Sequence, residues 1–169
     1  LRPDHPVSYI TSLEKKLKLI RNEGIDLVIS LEFTPDLSHI PADDFADILV
    51  ESLHMKGLVI GPDFAFGRNR QGNAAFLKEA GAKLGFWVEA VEPLSLAGSA
   101  VRSGLIRQTV IQGEVETGNR LLGRPFRLCG QVVKGFQRGK ELGFPTANLA
   151  IPPGMMLPGD GIYATWAII

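Results

Sequence analysis

Residues 1–90 contain three stretches in which apolar residues recur every three or four positions. This spacing places the apolar side chains on one face of a helix. The first stretch follows a sequence resembling a capping box at Thr11–Glu14, and Gly24 provides a stop signal. The other two helices are expected over about 41–55 and 73–84. In the second helix, the residues expected to point inward are Phe45, Ile48, Leu49 and Leu53.

Short apolar runs between these helices predict strands. Asp26–Leu31 is nearly continuous in apolar character, as expected of a buried parallel strand. Leu58–Ile60 and Phe86–Val91 are the next two runs. Alternation of strand and helix at this spacing predicts an α/β layer with a parallel sheet and right-handed crossovers.

The pattern changes after Leu105. Two short helices are expected over 105–112 and 114–122, separated by Gly113. From Gly123 onward, glycine, proline and alternating apolar positions replace helical spacing, notably over 126–133 and 161–169. The sequence therefore predicts a second, all-β unit over 123–169, following an α/β unit over 1–122.

Composition limits the class of protein. Lys+Arg and Asp+Glu are equal at 18 each, which argues against a nucleic-acid partner because such proteins need a basic surplus. No apolar run is long enough to cross a bilayer, so no membrane partner is expected. The single cysteine, Cys129, excludes an internal disulfide and fits a reducing, cytoplasmic location. Its place in an apolar alternation predicts that it packs inside.

The two ends of the sequence suggest an internal fragment. The chain begins at Leu1 rather than methionine, and it ends on the apolar run Tyr163–Ile169. A strand of that character needs partner strands, and without them the apolar edge is expected to aggregate or to remain partly disordered.

The loop after the Leu58–Ile60 run combines aromatic, basic and glycine residues. Loops at the carboxyl ends of parallel strands are where open α/β sheets bind ligands. Phe64 and Phe66 are suited to flank a planar ring, and Arg68 and Arg70 to meet phosphates. The alternative is that the phenylalanines only anchor the loop to the core.

A second loop, 99–107, leads into a helix. Ser103 is expected to cap that helix, whose free N–H groups would favour a phosphate, and Arg107 would add charge one turn later. An ordinary capped helix is the alternative. The histidines are isolated in sequence, without the spacing of a transition-metal site.

The segment 139–148 reads Gly-Lys-Glu-Leu-Gly-Phe-Pro-Thr-Ala-Asn. If the chain is extended after Pro145, Thr146 and Asn148 project to the same side. Magnesium prefers hard oxygen ligands and completes its coordination with water and phosphates, so the pair suits a magnesium–nucleotide complex. A polar turn leading into a strand is the alternative.

Taken in order, these motifs resemble the prokaryotic bifunctional riboflavin kinase/FMN adenylyltransferase family, also called FAD synthetase. The similarity covers essentially the whole chain, and the Gly-Phe-Pro-Thr-Ala-Asn string at 143–148 is the most specific part. The motifs are 61–67, 101–107, 119–125, 130–135, 143–148 and 159–164. The resemblance implies a Rossmann-like nucleotidyltransferase sheet, followed by an incomplete antiparallel β-barrel of the riboflavin kinase type.

The resemblance also implies two reactions and their participants: riboflavin and ATP give FMN, and FMN and ATP give FAD, with Mg²⁺ as the metal. Thr146 and Asn148 would then help to hold magnesium and ATP. The resemblance also places Gly135, Gly139 and Lys140 at the kinase nucleotide loop, Asp63, Phe64 and Phe66 at the flavin, and Ser103 and Arg107 at nucleotide phosphates. In the loop of the α/β part, Gly67, Arg68 and Arg70 are expected to bind nucleotide or phosphate.

The chain departs from the family pattern at several points. The phosphate motif usually reads Ser-Ser-Thr-Arg-Ile-Arg, whereas residues 102–107 read Arg-Ser-Gly-Leu-Ile-Arg. A His-x-Gly-His-type motif would precede Leu1, and the kinase's carboxylate base is expected beyond Ile169. The catalytic residues are therefore expected outside these 169 residues, which are predicted to be inactive alone.

Two other functions compete with this interpretation. One is a non-catalytic flavin- or nucleotide-binding module with a degraded transferase site. The other is a single-activity nucleotidyltransferase, and the 143–148 string argues against it because such enzymes lack the barrel.

Overall fold

A computed structural model describes residues 8–136, 139 and 143–168. The chain divides into two compact units. The central unit is Ile29–Ala100, and the split unit joins Leu1–Val28 to Val101–Ile169. Each unit is described by itself.

The helices are α1 (Leu13–Asn22), α2 (Pro35–His39), α3 (Ala42–Leu53), α4 (Ala74–Leu84), α5 (Ser103–Ile111) and α6 (Val115–Leu122). The strands are β1 (Gly57–Ile60), β2 (Trp87–Ala90), β3 (Ser95–Leu96), β4 (Ser99–Ala100), β5 (Gln131–Val133) and β6 (Asn148–Ala150). A 3₁₀ turn spans Arg68–Arg70. Within the described part of the chain, no helix combines the length and the apolar character needed to cross a membrane.

The core of the central unit lies between a small sheet and α4. β1 and β2 pair in parallel, with Gly57 opposite Trp87 and Ile60 opposite Ala90. Parallel pairing confirms the prediction for these two strands. Burying apolar side chains stabilises the unit in proportion to the area removed from water. Its buried residues are Ile60, Leu77, Ala80 and Phe86.

Helix α3 buries a different stripe from the one predicted. Ala42 and Ala46 are buried, whereas Ile48 is 44% exposed and Leu53 is 51% exposed. The small alanine side chains allow the neighbouring backbone to approach: a Cβ added at Gly67 would lie 2.8 Å from the Ala42 Cα. The predicted inward residues Ile48 and Leu53 are therefore wrong.

Side chains cap the starts of two of the predicted helices, but the cap of α1 is Ser12 rather than Thr11, with which the predicted capping box begins. Asn73 precedes α4, and its Oδ1 accepts a hydrogen bond from the Phe76 N–H at 3.0 Å. Ser12 precedes α1, and its Oγ accepts from the Lys15 N–H at 3.3 Å. These side chains satisfy N–H groups that have no partner within the helix.

The predicted strand at Asp26–Leu31 is wrong. None of these residues pairs with a strand in the described part of the chain. Its odd-numbered apolar residues face solvent, with Leu27 73% and Leu31 63% exposed. Strand propensity reflects packing against neighbours, so an apolar run without such neighbours does not form a strand.

The core of the split unit is formed by α5, α6 and Met156. Ile106, Val110 and Met156 are buried together. Tyr9 joins this region through a parallel bridge to Met155: the Tyr9 N–H donates to the Gly154 O at 2.7 Å, and the Met156 N–H donates to the Tyr9 O at 2.9 Å. The first described residues are therefore bonded to a segment near the end of the chain.

The β-rich region of the split unit contains one small antiparallel pair. β5 pairs with β6, with Gln131 opposite Ala150 and Val133 opposite Asn148. The described residues do not form a closed barrel, and 161–168 contain no strand, so the prediction of a strand there is wrong. Cys129, expected to pack inside, is exposed. Alternation alone again does not supply the neighbours that a strand must pack against.

Candidate functional site

The loop at 61–72 leaves the carboxyl end of β1 and is closed by its own backbone. The Phe66 N–H donates to the Gly72 O at 2.9 Å, and the Gly72 N–H donates to the Phe66 O at 3.0 Å. The Arg68 N–H donates to the Ile40 O at 2.8 Å, which fixes the far side of the loop. These bonds give the loop a defined shape without any ligand.

Phe66 lies at the centre of an aromatic cluster. Its ring centroid is 5.5 Å from that of Phe45, 5.7 Å from that of Phe64 and 6.0 Å from that of Phe76. These separations are typical of favourable ring pairs. A Cβ added at Gly72 would lie 2.6 Å from two atoms of the Phe66 ring, so only glycine fits beneath it. Phe66 therefore anchors the loop, whereas Phe64, 39% exposed, lies at its surface.

The polar residues of this loop are at the surface. Arg68, Arg70 and Asp63 are exposed. The arginines belong to a tight 3₁₀ turn in which Asn69 (φ 56°) and Arg70 (φ 58°) have left-handed backbones. Non-glycine residues in this conformation cost about 1–3 kcal/mol each and cluster at functional sites. The turn therefore presents two guanidinium groups close together in sequence on a defined backbone.

Ser103 and Arg107 interact with each other in the split unit. Helix α5 begins at Ser103, while Arg102 occupies the cap position without a side-chain cap bond, so the predicted Ser103 cap is wrong. Instead, the Ser103 Oγ accepts from the Arg107 Nη1 at 3.2 Å. The Arg107 Nε donates to the Ser8 O at 2.8 Å. Arg107 thus uses part of its fork of donors to hold the start of the described chain.

Two glycines of the split unit lie against the two predicted metal ligands. A Cβ added at Gly135 would lie 2.8 Å from the Asn148 Cγ, and one added at Gly139 would lie 3.2 Å from the Thr146 Oγ1. The Phe144 N–H donates to the Gly139 O at 2.7 Å. We call Gly135, Gly139, Thr146 and Asn148 the glycine corner. Lys140, which the resemblance assigned to the same loop, lies outside the described residues.

The side-chain oxygen donors of the glycine corner are neutral. Thr146 and Asn148 are exposed and offer a hydroxyl and an amide oxygen. In the part of the chain that the structure describes, no three His, Cys, Asp or Glu residues are grouped so that they could hold a metal. A hard cation bound here would take its other oxygens from phosphate and water, which is the usual environment of Mg²⁺.

The predicted site residues fall into three groups. Asp63, Phe64, Phe66, Gly67, Arg68 and Arg70 share one loop of the central unit. The pair Ser103 and Arg107 and the glycine corner belong to the split unit. No motif predicts Ser8 as a partner of Arg107, because the bond is to a backbone carbonyl 99 positions away.

A parallel βαβ unit with a basic, glycine-bearing loop at a strand's carboxyl end belongs to the α/β class, in which such loops are the usual place of ligand binding. Sequence comparison identifies the family within this class. The model of the FAD synthetase family matches residues 1–105, and that of riboflavin kinase matches residues 122–169. The chain belongs to the FAD synthetase family, which confirms the resemblance indicated by the motifs.

Curated relatives from several bacteria share this similarity. Two of these relatives are named bifunctional riboflavin kinase/FMN adenylyltransferase. The protein from Buchnera aphidicola (subsp. Schizaphis graminum) is 34% identical, over 92% of this chain and 50% of the relative. The protein from Pseudomonas fluorescens is 37% identical, over 90% of this chain and 49% of the relative. The Escherichia coli K12 protein of the same name is 33% identical over 95% and 51%. The chain therefore spans about half the length of the curated relatives it matches.

A solved structure shares the fold. A crystal structure named as a macrolide-efflux protein from Streptococcus pneumoniae has a TM-score of 0.86 and 29% sequence identity. The similarity covers 95% of this chain and 52% of that protein.

Proposed function

We propose that these residues are part of a cytoplasmic transferase that phosphorylates riboflavin to FMN and adenylylates FMN to FAD, with ATP as co-substrate. The glycine corner is the observation that carries the proposal. It brings two oxygen-bearing side chains against two glycines inside the region that matches riboflavin kinase. The names of the curated relatives support the same pair of reactions. The efflux name of the streptococcal structure has no counterpart in either matching family.

In the proposed kinase module, 123–169, Thr146 and Asn148 orient a magnesium–ATP complex. Bound Mg²⁺ would neutralise charge developing on the transferred phosphoryl group. Gly135 and Gly139 would lie in the nucleotide loop, and because neither has a side chain, the Asn148 and Thr146 side chains can approach the loop backbone closely. Lys140 would add a positive charge at the phosphates.

In the proposed adenylyltransferase module, 1–122, the loop of the central unit binds the flavin. Phe64 has the more exposed ring, so it is the residue that would stack on isoalloxazine, while Phe66 holds the loop in place. Asp63 would accept hydrogen bonds from the flavin, and Gly67, Arg68 and Arg70 would lie near phosphate. Ser103 and Arg107 would contact nucleotide phosphates from α5.

Magnesium-dependent binding of ATP to the 169-residue chain tests the kinase assignment. We expect binding by equilibrium dialysis that requires Mg²⁺ and is reduced about tenfold by Thr146→Val or Asn148→Ala, since each removes one oxygen contact. Thr165→Val and Asn22→Ala are matched controls at exposed positions and should bind as the wild type does. Equal binding by all five proteins would contradict the assignment.

Turnover by these residues alone is expected to be negligible. Both reactions depend on positioning and on charge stabilisation in the transition state, and the chain spans only about half of its relatives. Purified chain incubated with riboflavin, ATP and Mg²⁺ should yield no FMN or FAD by chromatography. Product at a rate near that of a full-length relative would show that the catalytic groups lie within these residues.

One observation favours a non-catalytic flavin- or nucleotide-binding module as the second candidate. The Arg107 side chain bonds to Ser8 and Ser103, which is a structural use of a residue assigned to phosphate. Gly104 and Leu105 also lack the hydroxyl and guanidinium of the usual family motif. Restoring both as Gly104→Thr and Leu105→Arg in a chain extended to the length of its relatives distinguishes the two: adenylyl transfer should increase for a degraded enzyme and remain absent for a binding module.

A further inference from the structure

A groove of about 340 Å³ in the split unit belongs to none of the sites above. It lies between the start of α1 and residues of 124–130 and 152–155. Three cations line it: Lys15, Arg124 and Arg127. None of the described residues proposed for flavin, magnesium or ATP lines it.

The charge of this groove is unbalanced. Of the residues that the structure describes, Glu14 is the only carboxylate that lines it, against the three cations. Among the described residues, no carboxylate forms an ion pair with Lys15, Arg124 or Arg127. Cations that share a concave surface focus a positive potential and attract anions. Half-buried Lys15 and Arg124 contribute more strongly than fully hydrated groups, because water screens them less.

Hydrogen bonds fix part of this surface in place. The Arg124 Nη2 donates to the Thr11 Oγ1 at 2.9 Å, and its Nη1 donates to the Pro125 O at 3.3 Å. The Ser12 Oγ accepts from the Lys15 N–H. Both hydroxyl oxygens act as acceptors within the protein, so the proton of each hydroxyl remains able to donate to a ligand. The groove thus offers O–H donors beside its cations.

Part of the lining of the groove is apolar. We call Gly130, Pro152 and Met155, of which Met155 is half-buried, its apolar wall. An inorganic anion would leave this wall in contact with water, whereas a ring or alkyl group attached to a phosphate would cover it. We propose that this groove binds a small organic phosphate, with its phosphate at Lys15, Arg124 and Arg127 and its apolar part against Pro152 and Met155.

The only cysteine of the chain provides a local reporter. Cys129 lines the groove and is exposed. A neutral maleimide should therefore label it readily, and a ligand in the groove should slow this labelling. The protection factor follows 1 + [L]/Kd, so the rate falls about tenfold at roughly nine times Kd. Phenyl phosphate is the probe, since it carries only a phosphate and an apolar ring.

The proposal is tested by comparing the protection of Cys129 by different anions and in different variants. We expect saturable protection by phenyl phosphate, weaker protection by inorganic phosphate and none by potassium chloride at equal ionic strength. Lys15→Ala and Arg127→Ala should each weaken protection by roughly tenfold. Lys18→Ala, on the same helix but outside the groove, should protect as the wild type does.

Two results would overturn the proposal. One is equal slowing by potassium chloride, which would show screening rather than binding. The other is unchanged protection in both Lys15→Ala and Arg127→Ala, with circular dichroism showing that each is folded. Should Lys15→Ala perturb α1, Arg127→Ala carries the test alone because Arg127 is exposed.

Discussion

Glycine has a different role in the loop at 61–72 than in the glycine corner. In the loop, Gly72 lies beneath the ring of Phe66, an apolar contact that belongs to the packed cluster of four phenylalanines. In the corner, Gly135 lies against the polar side chain of Asn148, and Gly139 lies against the Phe144 carbonyl oxygen and the Thr146 side chain. The glycine of the 61–72 loop therefore makes room for an apolar ring, whereas the glycines of the corner make room for polar groups.

The largest expected change in stability tests whether Phe66 anchors the 61–72 loop by packing. Phe66→Ala should lower the free energy of unfolding by about 2–3 kcal/mol, below the loss for a fully buried phenylalanine because Phe66 is only half-buried. Urea denaturation measures the change. Phe144→Ala, at a residue 77% exposed, should shift stability by less than about 0.5 kcal/mol. Similar losses in the two variants would show that Phe66 is not the anchor.

A smaller effect is expected in the glycine corner. Gly135→Ala places a methyl group where the Asn148 amide lies and should cost about 1–2 kcal/mol through overpacking. The Asn148 side-chain NH₂ resonances should move, which NMR detects without any ligand. In the double variant with Asn148→Ala, much of this cost should be recovered. Strictly additive costs, or unmoved Asn148 resonances, would contradict the contact.

Substitutions at Arg107 test whether the hydrogen bonds of this α5 residue stabilise the fold. Arg107→Ala removes the bonds to Ser8 and Ser103 and should destabilise the chain by about 1 kcal/mol. Arg107→Lys should recover only part of this, because an ammonium group cannot reproduce the guanidinium fork. Arg21→Ala, at an exposed position near the end of α1, is the control for loss of charge. Chemical denaturation of the four proteins gives the comparison.

The smallest expected effect is a gain in stability rather than a loss. Nothing lies within 4 Å of a Cβ added at Gly104, which is in the first turn of α5. Gly104→Ala should therefore stabilise the chain by about 0.5 kcal/mol, since alanine loses less backbone entropy on folding. A rise in Tm of a few degrees is the expected result. A fall would show that this glycine, like Gly135, has a steric neighbour.

The parts of the fold predicted correctly depend on nearby residues. Ser12 and Asn73 precede helices that they cap within three positions, so the signal and the bond lie in the same short segment. Helix α2 was not predicted, although Thr34 followed by Pro35 is such a signal: the Thr34 Oγ1 accepts from the Leu37 N–H at 3.2 Å.

The wrong predictions depend on distant partners. Both 26–31 and 161–168 have the composition of strands, but pairing requires a neighbour that local sequence does not specify. The same reason explains why the geometry of the candidate site could not be predicted from the sequence. Its residue types were visible in the motifs, whereas the contact of Gly135 with Asn148 and the bond from Arg107 to Ser8 join residues far apart in sequence.

The bridge between Tyr9 and Met155 has a consequence for dividing this protein into parts. It joins a residue in the region that matches FAD synthetase to one in the region that matches riboflavin kinase. A polypeptide that starts at residue 122 would lose both backbone bonds and expose the edge to which Tyr9 attaches. Recombinant separation of the two matched regions should therefore retain residues 8–11, supplied as a fused strand or as a peptide in trans.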